Sequence, residues 1–222
     1  MIGLGHAGIC GARAAAAPAG TTILLLHAEQ ADNSTAIVDS AGQGAIITRS
    51  LTTNIAGGLI GAGCIQVAAG GSITASNLLF DKAKIAIEFY CYTTDTTNAN
   101  ILLQVGSTPN GDISSEYLAL QRTASNTLTV GFGTLSFTTT ANQPHLYGYS
   151  LNVETGDCSI YLDGVLKGVR NLLAYFTTPI TDTKLQISLA TGSPAPTVYV
   201  DEVRVRKGVL ITAGMPTLPF SA

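Results

Sequence analysis

The strongest constraint on the fold is an alternation of side chains with a period of two in the segment from Lys84 to Tyr92, which reads KIAIEFYCY. A period of two residues is typical of a β-strand. Residues 145–153 alternate in the same way, and turn residues interrupt the chain at intervals of about ten residues. The sequence therefore predicts an all-β protein with about a dozen strands, arranged as a two-sheet antiparallel jelly-roll sandwich. On one face of the alternating segment we place Ile85, Ile87, Phe89 and Cys91, and on the other Ala86, Glu88, Tyr90 and Tyr92.

Two further segments have weaker patterns. Residues 46–48 are predicted as a short strand, whereas the glycine-rich residues 54–63 are predicted to be irregular. Residues 77–81, Asn-Leu-Leu-Phe-Asp, are predicted to form one turn of helix.

The composition agrees with a β-fold and excludes several classes of function. The chain of 222 residues has 28 threonines and 24 glycines, and only 11% of it is charged. Threonine favours strands and glycine favours turns. A net charge of −3 argues against nucleic-acid binding, which needs a basic surface. The longest apolar run, residues 23–26, is too short to cross a membrane as a helix, so no membrane partner is expected.

The first 20 residues differ from the rest, because 12 of them are Gly or Ala. No basic residue precedes the apolar stretch and Arg13 interrupts it, so we do not interpret it as an export signal. It is either a disordered tail or an arm that docks on a partner subunit through Ile2, Leu4 and Ile9. We therefore expect an N-terminal arm, residues 1–20, and a jelly-roll domain, residues 21–222.

Four cysteines occur, and none lies close enough to another for a zinc motif. They are Cys10, Cys64, Cys91 and Cys158. Two disulfides and four reduced thiols both fit this number. Cys91 and Cys158 fall inside predicted strands, where a free cysteine packs as a small apolar residue, and this favours reduced thiols.

Three stretches of the chain carry motifs of a known family. Residues 85–92 read IAIEFYCY, residues 143–149 read QPHLYGY and lead to IYLDG at 160–164, and residues 198–209 read VYVDEVRVRKGV. In this order they resemble three strands of the laminin-G-like, concanavalin-A-like jelly-roll domains. The last stretch is similar to the form found in structural proteins of tailed-phage virions. Family members usually carry Trp in the first two motifs, but this chain has Tyr90 and Gln143 there.

The resemblance implies a non-enzymatic virion protein of the capsid-decoration or head-fibre type. Such a protein would dock on other capsid or tail proteins as a homo-oligomer, for example a trimer. The alternative is a lectin-like module of a tail fibre, baseplate or surface protein that recognises a host glycan. Tyrosine rings would then stack on sugars. The candidate ligand-binding residues are Tyr90, Tyr92, Tyr147, Tyr149 and Tyr161.

No catalytic set is found in the sequence. The E-x-D-x-x-E strand of glycosidases with this fold is absent, and so is the G-x-S-x-G nucleophile motif. The three histidines, His6, His27 and His145, are scattered. We therefore expect no enzymatic activity and no cofactor, with Ca²⁺ the one metal considered, because related folds often hold it at a loop rim. The weak candidate ligands are Asp32, Asn33, Asp39 and Asp201.

Overall fold

The computed structural model describes residues 20–27, 34–56, 63–78, 84–93, 100–106, 118–122, 127–130, 135–139, 143–173, 183–189 and 197–211. The arm residues Ile2, Leu4 and Ile9 and the Ca²⁺ candidates Asp32 and Asn33 lie outside these ranges. Within them the chain forms strands and no α-helix. The strands are β1 (Thr21–His27), β2 (Ile46–Ala56), β3 (Gly63–Leu78), β4 (Lys84–Thr93), β5 (Asn100–Gly106), β6 (Leu118–Arg122), β7 (Thr127–Val130), β8 (Leu135–Thr138), β9 (His145–Asn152), β10 (Asp157–Leu162), β11 (Val165–Asn171), β12 (Thr183–Leu189) and β13 (Val198–Lys207).

Hydrogen bonds join these strands in one antiparallel path. Its order is β11-β10-β9-β4-β13-β3-β12-β5-β6-β7-β8, with β1 added to β13 and β2 added to β3. The sheet curls, and its two end strands, β11 and β8, therefore come close together. The all-β prediction is thus confirmed. The described strands are continuous, so the division into two sheets of a jelly roll stays a prediction.

The core lies on the inner face of the curl. Ile85, Ile87, Phe89 and Cys91 are all buried, as the alternation predicts. They pack in one cluster with residues from other strands of the path, namely Val203, Val205, Tyr149, Leu103 and Leu185. Burial of each large apolar side chain stabilises the fold by about 1.5–3 kcal/mol, so this cluster holds the curled strands together.

Two local predictions were wrong. Strand β2 continues to Ala56, because β3 offers it a hydrogen-bonded partner along its whole length. Asn77 and Leu78 end strand β3 and do not begin a helix; Asn77 adopts a positive φ of 63°. Residues 79–81 lie outside the described ranges. In both places strand pairing overrides a local preference.

The outer face of β9 and β10 is partly closed by the chain that follows β13. The backbone N–H of Ile211 donates to Ser150 Oγ (2.8 Å), and the Tyr161 hydroxyl donates to the Ile211 carbonyl (2.9 Å). A Cβ atom at Gly148 would lie 3.0 Å from Ile211 Cδ1, so glycine allows this close approach. In the described ranges no helix has the length and apolar character needed to cross a membrane.

A buried ion-pair centre lies next to this closed part, since Glu88 is opposite Gly148. It consists of Glu88, Arg204 and Arg206, on neighbouring strands β4 and β13. Glu88 is 2% exposed, and its Oε2 accepts from Arg204 Nε (3.0 Å) and Arg206 Nη2 (3.1 Å). Burial lowers the pKa of Arg206, and the neighbouring Arg204 lowers it further, while Glu88 opposes both effects. The carboxylate thus compensates two cations on a largely desolvated surface.

Candidate ligand-binding site

The five tyrosines proposed from the sequence do not form one surface. Tyr147 and Tyr149 lie on the inner face, where they are 4% and 1% exposed. The ring of Tyr147 stacks on Phe89 with centroids 5.0 Å apart. Tyr161 lies on the outer face but is buried, with its hydroxyl bound to the Ile211 carbonyl. These three rings pack inside the fold in this structure, whereas Tyr90 and Tyr92 are partly exposed.

Tyr92 forms an aromatic pair with a residue from another part of the chain. Tyr92 in β4 lies directly opposite Tyr199 in β13, and their rings stack with centroids 4.6 Å apart and an interplanar angle of 7°. Gln66 lies opposite Tyr199 on the other side, in β3, and its Nε2 donates to the Tyr199 hydroxyl (3.3 Å). All three side chains are partly exposed, so the pair offers an aromatic surface with an amide beside it.

Tyr90 extends this surface along β4. It lies two residues before Tyr92 and therefore on the same face of the strand. Its ring packs against the small apolar cluster of Leu25 and Leu146, which Ala41 also joins. We name the set of Tyr90, Tyr92, Tyr199 and Gln66 the tyrosine shelf.

The hydroxyls of Tyr90 and Tyr92 stay protonated at neutral pH. Burial raises the pKa of Tyr90, and the carboxylates of Asp163 and Asp201 raise it further. Burial also raises the pKa of Tyr92, with smaller effects from Tyr199 and Cys64. Because a tyrosine ordinarily titrates near pH 10, both hydroxyls can donate and accept hydrogen bonds at pH 7.

Carboxylates lie close to the shelf. Asp163 is in the turn between β10 and β11, where its Oδ1 accepts from the backbone N–H of Leu146 (2.9 Å) and its Oδ2 lies 2.7 Å from His145 Nδ1. Asp201 and Glu202 fall in a β-bulge of β13, between Val200 and Val203, and both are 1% exposed.

The Ca²⁺ candidates are separated in the structure. Asp39 Oδ1 accepts from the backbone N–H groups of Leu25 (2.9 Å) and Ala41 (3.0 Å), so this side chain caps its loop. Asp201 is buried in β13. Among the residues that the structure describes, no group of three His, Cys, Asp or Glu side chains could hold a metal ion. Calcium binding stays a prediction.

Two members of the shelf, Tyr199 and Gln66, are not among the binding residues predicted from the sequence. Tyr199 is visible in the motif VYVDEVRV as an aromatic residue in a predicted strand. Its partner Tyr92, however, is more than 100 residues away, and only the pairing of β4 with β13 brings them together. Gln66 carries no signal of its own in the sequence.

Comparison with known proteins places the fold among β-rich binding domains. No protein-family model matches the chain, and no curated protein matches it. Three solved structures have a similar fold, and the match covers 86% of this chain in each case. The binding domain of Paraclostridial Mosquitocidal Protein 1 matches with a TM-score of 0.63 and 13% identity over 49% of its length, and the botulinum neurotoxin serotype G binding domain with a TM-score of 0.62 and 15% identity over 48% of its length. The botulinum neurotoxin serotype D ligand binding domain in complex with N-acetylneuraminic acid matches with a TM-score of 0.61 and 14% identity over 48% of its length.

The chain thus spans about half the length of these solved structures. At such low identity the likeness establishes the fold and not the activity. None of the three is a virion protein, so they give no support to the virion role that the sequence predicted.

Proposed function

We propose that the chain is a non-enzymatic carbohydrate-binding module and that the tyrosine shelf is its binding surface. The observation that carries this proposal is the parallel pair of Tyr92 and Tyr199 with Gln66 at its edge. A pyranose ring has an apolar face that stacks on an aromatic ring, and hydroxyls at its edge that bond to amides. The shelf supplies both kinds of contact within three adjacent strands.

The comparisons support a binding role. The matched part of the neurotoxin and mosquitocidal structures belongs to proteins named as binding domains. One of these was solved with N-acetylneuraminic acid, and another is described through its interaction with two ganglioside molecules. A sugar ligand for this chain is therefore the proposal best supported by both fold and site.

The test is a glycan array probed with the 222-residue chain, followed by affinity measurements on the best ligand. Y92A and Y199A should each weaken binding about tenfold, because each removes one ring of the pair. Y199F keeps the ring and removes only the hydroxyl that Gln66 contacts, so it should lose less affinity than Y199A.

The matched control is Val169→Ala, which shortens a side chain that is 55% exposed on strand β11, far along the path from the shelf. It should bind like the unmodified chain. Absence of any glycan binding, or full binding by folded Y92A and Y199A, would overturn the proposal.

The virion role stays a prediction. It rests on the closing stretch VYVDEVRVRKGV and on the arm residues, and the latter lie outside the described ranges. Immunogold labelling of particles from the source culture tests it directly. Gold on heads would support a decoration or head-fibre protein, gold on tails a host-attachment role, and unlabelled particles would contradict both.

A further inference from the structure

Two carboxylates, Asp163 and Asp201, lie near Tyr90 at one end of the tyrosine shelf. Asp163 approaches from the β10–β11 turn with its side chain 43% exposed, and Asp201 and Glu202 lie in the adjacent bulge of β13. The carboxylates of Asp163 and Asp201 are close enough to Tyr90 to raise the pKa of its hydroxyl. A ligand on the shelf therefore enters a field set by these carboxylates.

Four basic side chains near the shelf, among the residues that the structure describes, have carboxylate partners. Arg204 and Arg206 bind Glu88, and their side chains are only 10% and 17% exposed. The two histidines also have carboxylate partners. His27 Nδ1 lies 2.8 Å from Glu202 Oε1, and His145 Nδ1 lies 2.7 Å from Asp163 Oδ2. None of these four groups is available as an unpaired counter-charge for an anion.

An acidic sugar would be repelled at this position. Its carboxylate would meet the exposed carboxylate of Asp163, while the four basic groups named above are engaged with carboxylates. Coulomb repulsion between like charges acts over several ångströms near a protein surface. A neutral sugar avoids this cost. It can still stack on the ring pair and exchange hydrogen bonds with the Gln66 amide and with the hydroxyls of Tyr90 and Tyr92.

We infer that the tyrosine shelf selects neutral glycans, hexoses and N-acetylhexosamines, and discriminates against sialylated ones. This inference rests on the proposed glycan-binding function. The ligand preference inferred for this chain differs from that of the structural neighbour solved in complex with N-acetylneuraminic acid, which is an acidic sugar.

The experiment compares paired glycans on one array, each with and without a terminal N-acetylneuraminic acid. The unmodified chain should bind the sialylated member about tenfold more weakly than the neutral one. Raising the salt concentration should reduce this difference, because dissolved ions screen exposed charges.

Asp163→Asn is the variant that isolates the charge. Asn tolerates the positive φ of 50° at this position, and its side-chain oxygen can still accept from the Leu146 N–H. The ratio of sialylated to neutral binding should rise about threefold in D163N. Asp157→Asn removes an exposed carboxylate that begins β10 and is the matched control, expected to leave the ratio unchanged.

The outcomes separate the two proposals. Binding to neither member of any pair would overturn the proposed function. Equal or tighter binding to sialylated glycans, lost in Y92A, would keep the proposed function and overturn the selectivity. An unchanged ratio in D163N would also contradict the inference, because it assigns the repulsion to this carboxylate.

Discussion

The ion-pair centre and the tyrosine shelf lie on the same face of the same two strands, β4 and β13, yet they meet solvent differently. Glu88 and Arg204 are directly opposite each other and are 2% and 8% exposed. Four residues further along β4, Tyr92 faces Tyr199 and both rings remain partly exposed. The chain thus closes one end of this face and leaves the other end open.

This difference teaches what each group of side chains can contribute. The buried polar groups of the ion-pair centre have lost their hydration, so they must bind one another. Their arrangement therefore affects the stability of the fold. Open aromatic groups add little to stability but keep contact area for a ligand. Substitutions in the two places should therefore affect different measurements.

The largest expected effect is on the free energy of unfolding and comes from a substitution in the ion-pair centre. Glu88→Gln leaves two largely buried arginines without a counter-charge and should lower the free energy of unfolding by about 3 kcal/mol. Urea denaturation followed by circular dichroism measures this change.

Glu154→Gln is the matched control, because Glu154 is exposed in the turn before β10. It should change the free energy of unfolding by less than about 0.5 kcal/mol. A loss below about 1 kcal/mol for E88Q would mean that solvent reaches the centre and that the two ends of the face are less different than the structure indicates.

A smaller effect concerns the two buried thiols of Cys64 and Cys158. Burial raises the pKa of Cys64 to about 11, with a further contribution from Asp201, and burial raises the pKa of Cys158 to about 12. Both are free thiols in the structure and are 1% exposed. At pH 8 iodoacetamide should therefore label neither in the folded chain, since the thiolate is the reactive form.

Tyr92→Ala sharpens this prediction. Both thiols belong to the core cluster, but Cys64 lies close enough to Tyr92 to influence its pKa, whereas Cys158 lies near Tyr149. Labelling of Cys64 should become several-fold faster in the variant, and labelling of Cys158 should not change. Peptide mapping by mass spectrometry distinguishes the two. Equal acceleration at both sites would mean that the substitution loosens the whole fold.

The sequence predicts the inner face well. Alternation along β4 identifies the buried set from Ile85 to Cys91, because a period of two residues is a local property of a strand. It also places Glu88, Tyr90 and Tyr92 together on the opposite face. It does not reveal that Glu88 is buried, since this depends on Ile211, more than 100 residues away, closing over Gly148 and Ser150.

The site is less accessible to prediction for the same reason. Alternation alone gives Tyr147 and Tyr149 a shared face, but only the curl of the path makes that face the core. The pairing of Tyr92 with Tyr199 depends on the register of β4 and β13, which a bulge between Val200 and Val203 shifts. Bulges and covering segments are set by tertiary structure and leave little trace in local sequence.

The smallest expected effect concerns Asp157. Its carboxylate accepts hydrogen bonds, as that of Glu88 does, but it is exposed to solvent. Asp157 accepts from the Thr155 hydroxyl (2.8 Å) and from the Asn171 amide (2.9 Å). These two hydrogen bonds, the one from Thr155 first, lower its pKa below the ordinary 3.8. A carboxyl whose pKa is lower in the folded chain stabilises it above the unfolded pKa, and this contribution disappears as the pH falls through the folded value.

Asp157→Asn should therefore lower the melting temperature slightly at pH 6–7, where the native carboxylate is ionised. The difference from the unmodified chain should shrink as the pH falls below the ordinary pKa of 3.8 and through the lower folded value. Thermal melts across this range, repeated for E88Q, test the contrast between an open and a closed carboxylate. The E88Q difference at pH 7 should be many times larger, because only Glu88 compensates buried cations. A D157N difference that persists unchanged at pH 2.5 would mean that the side-chain shape, and not its charge, stabilises the turn before β10.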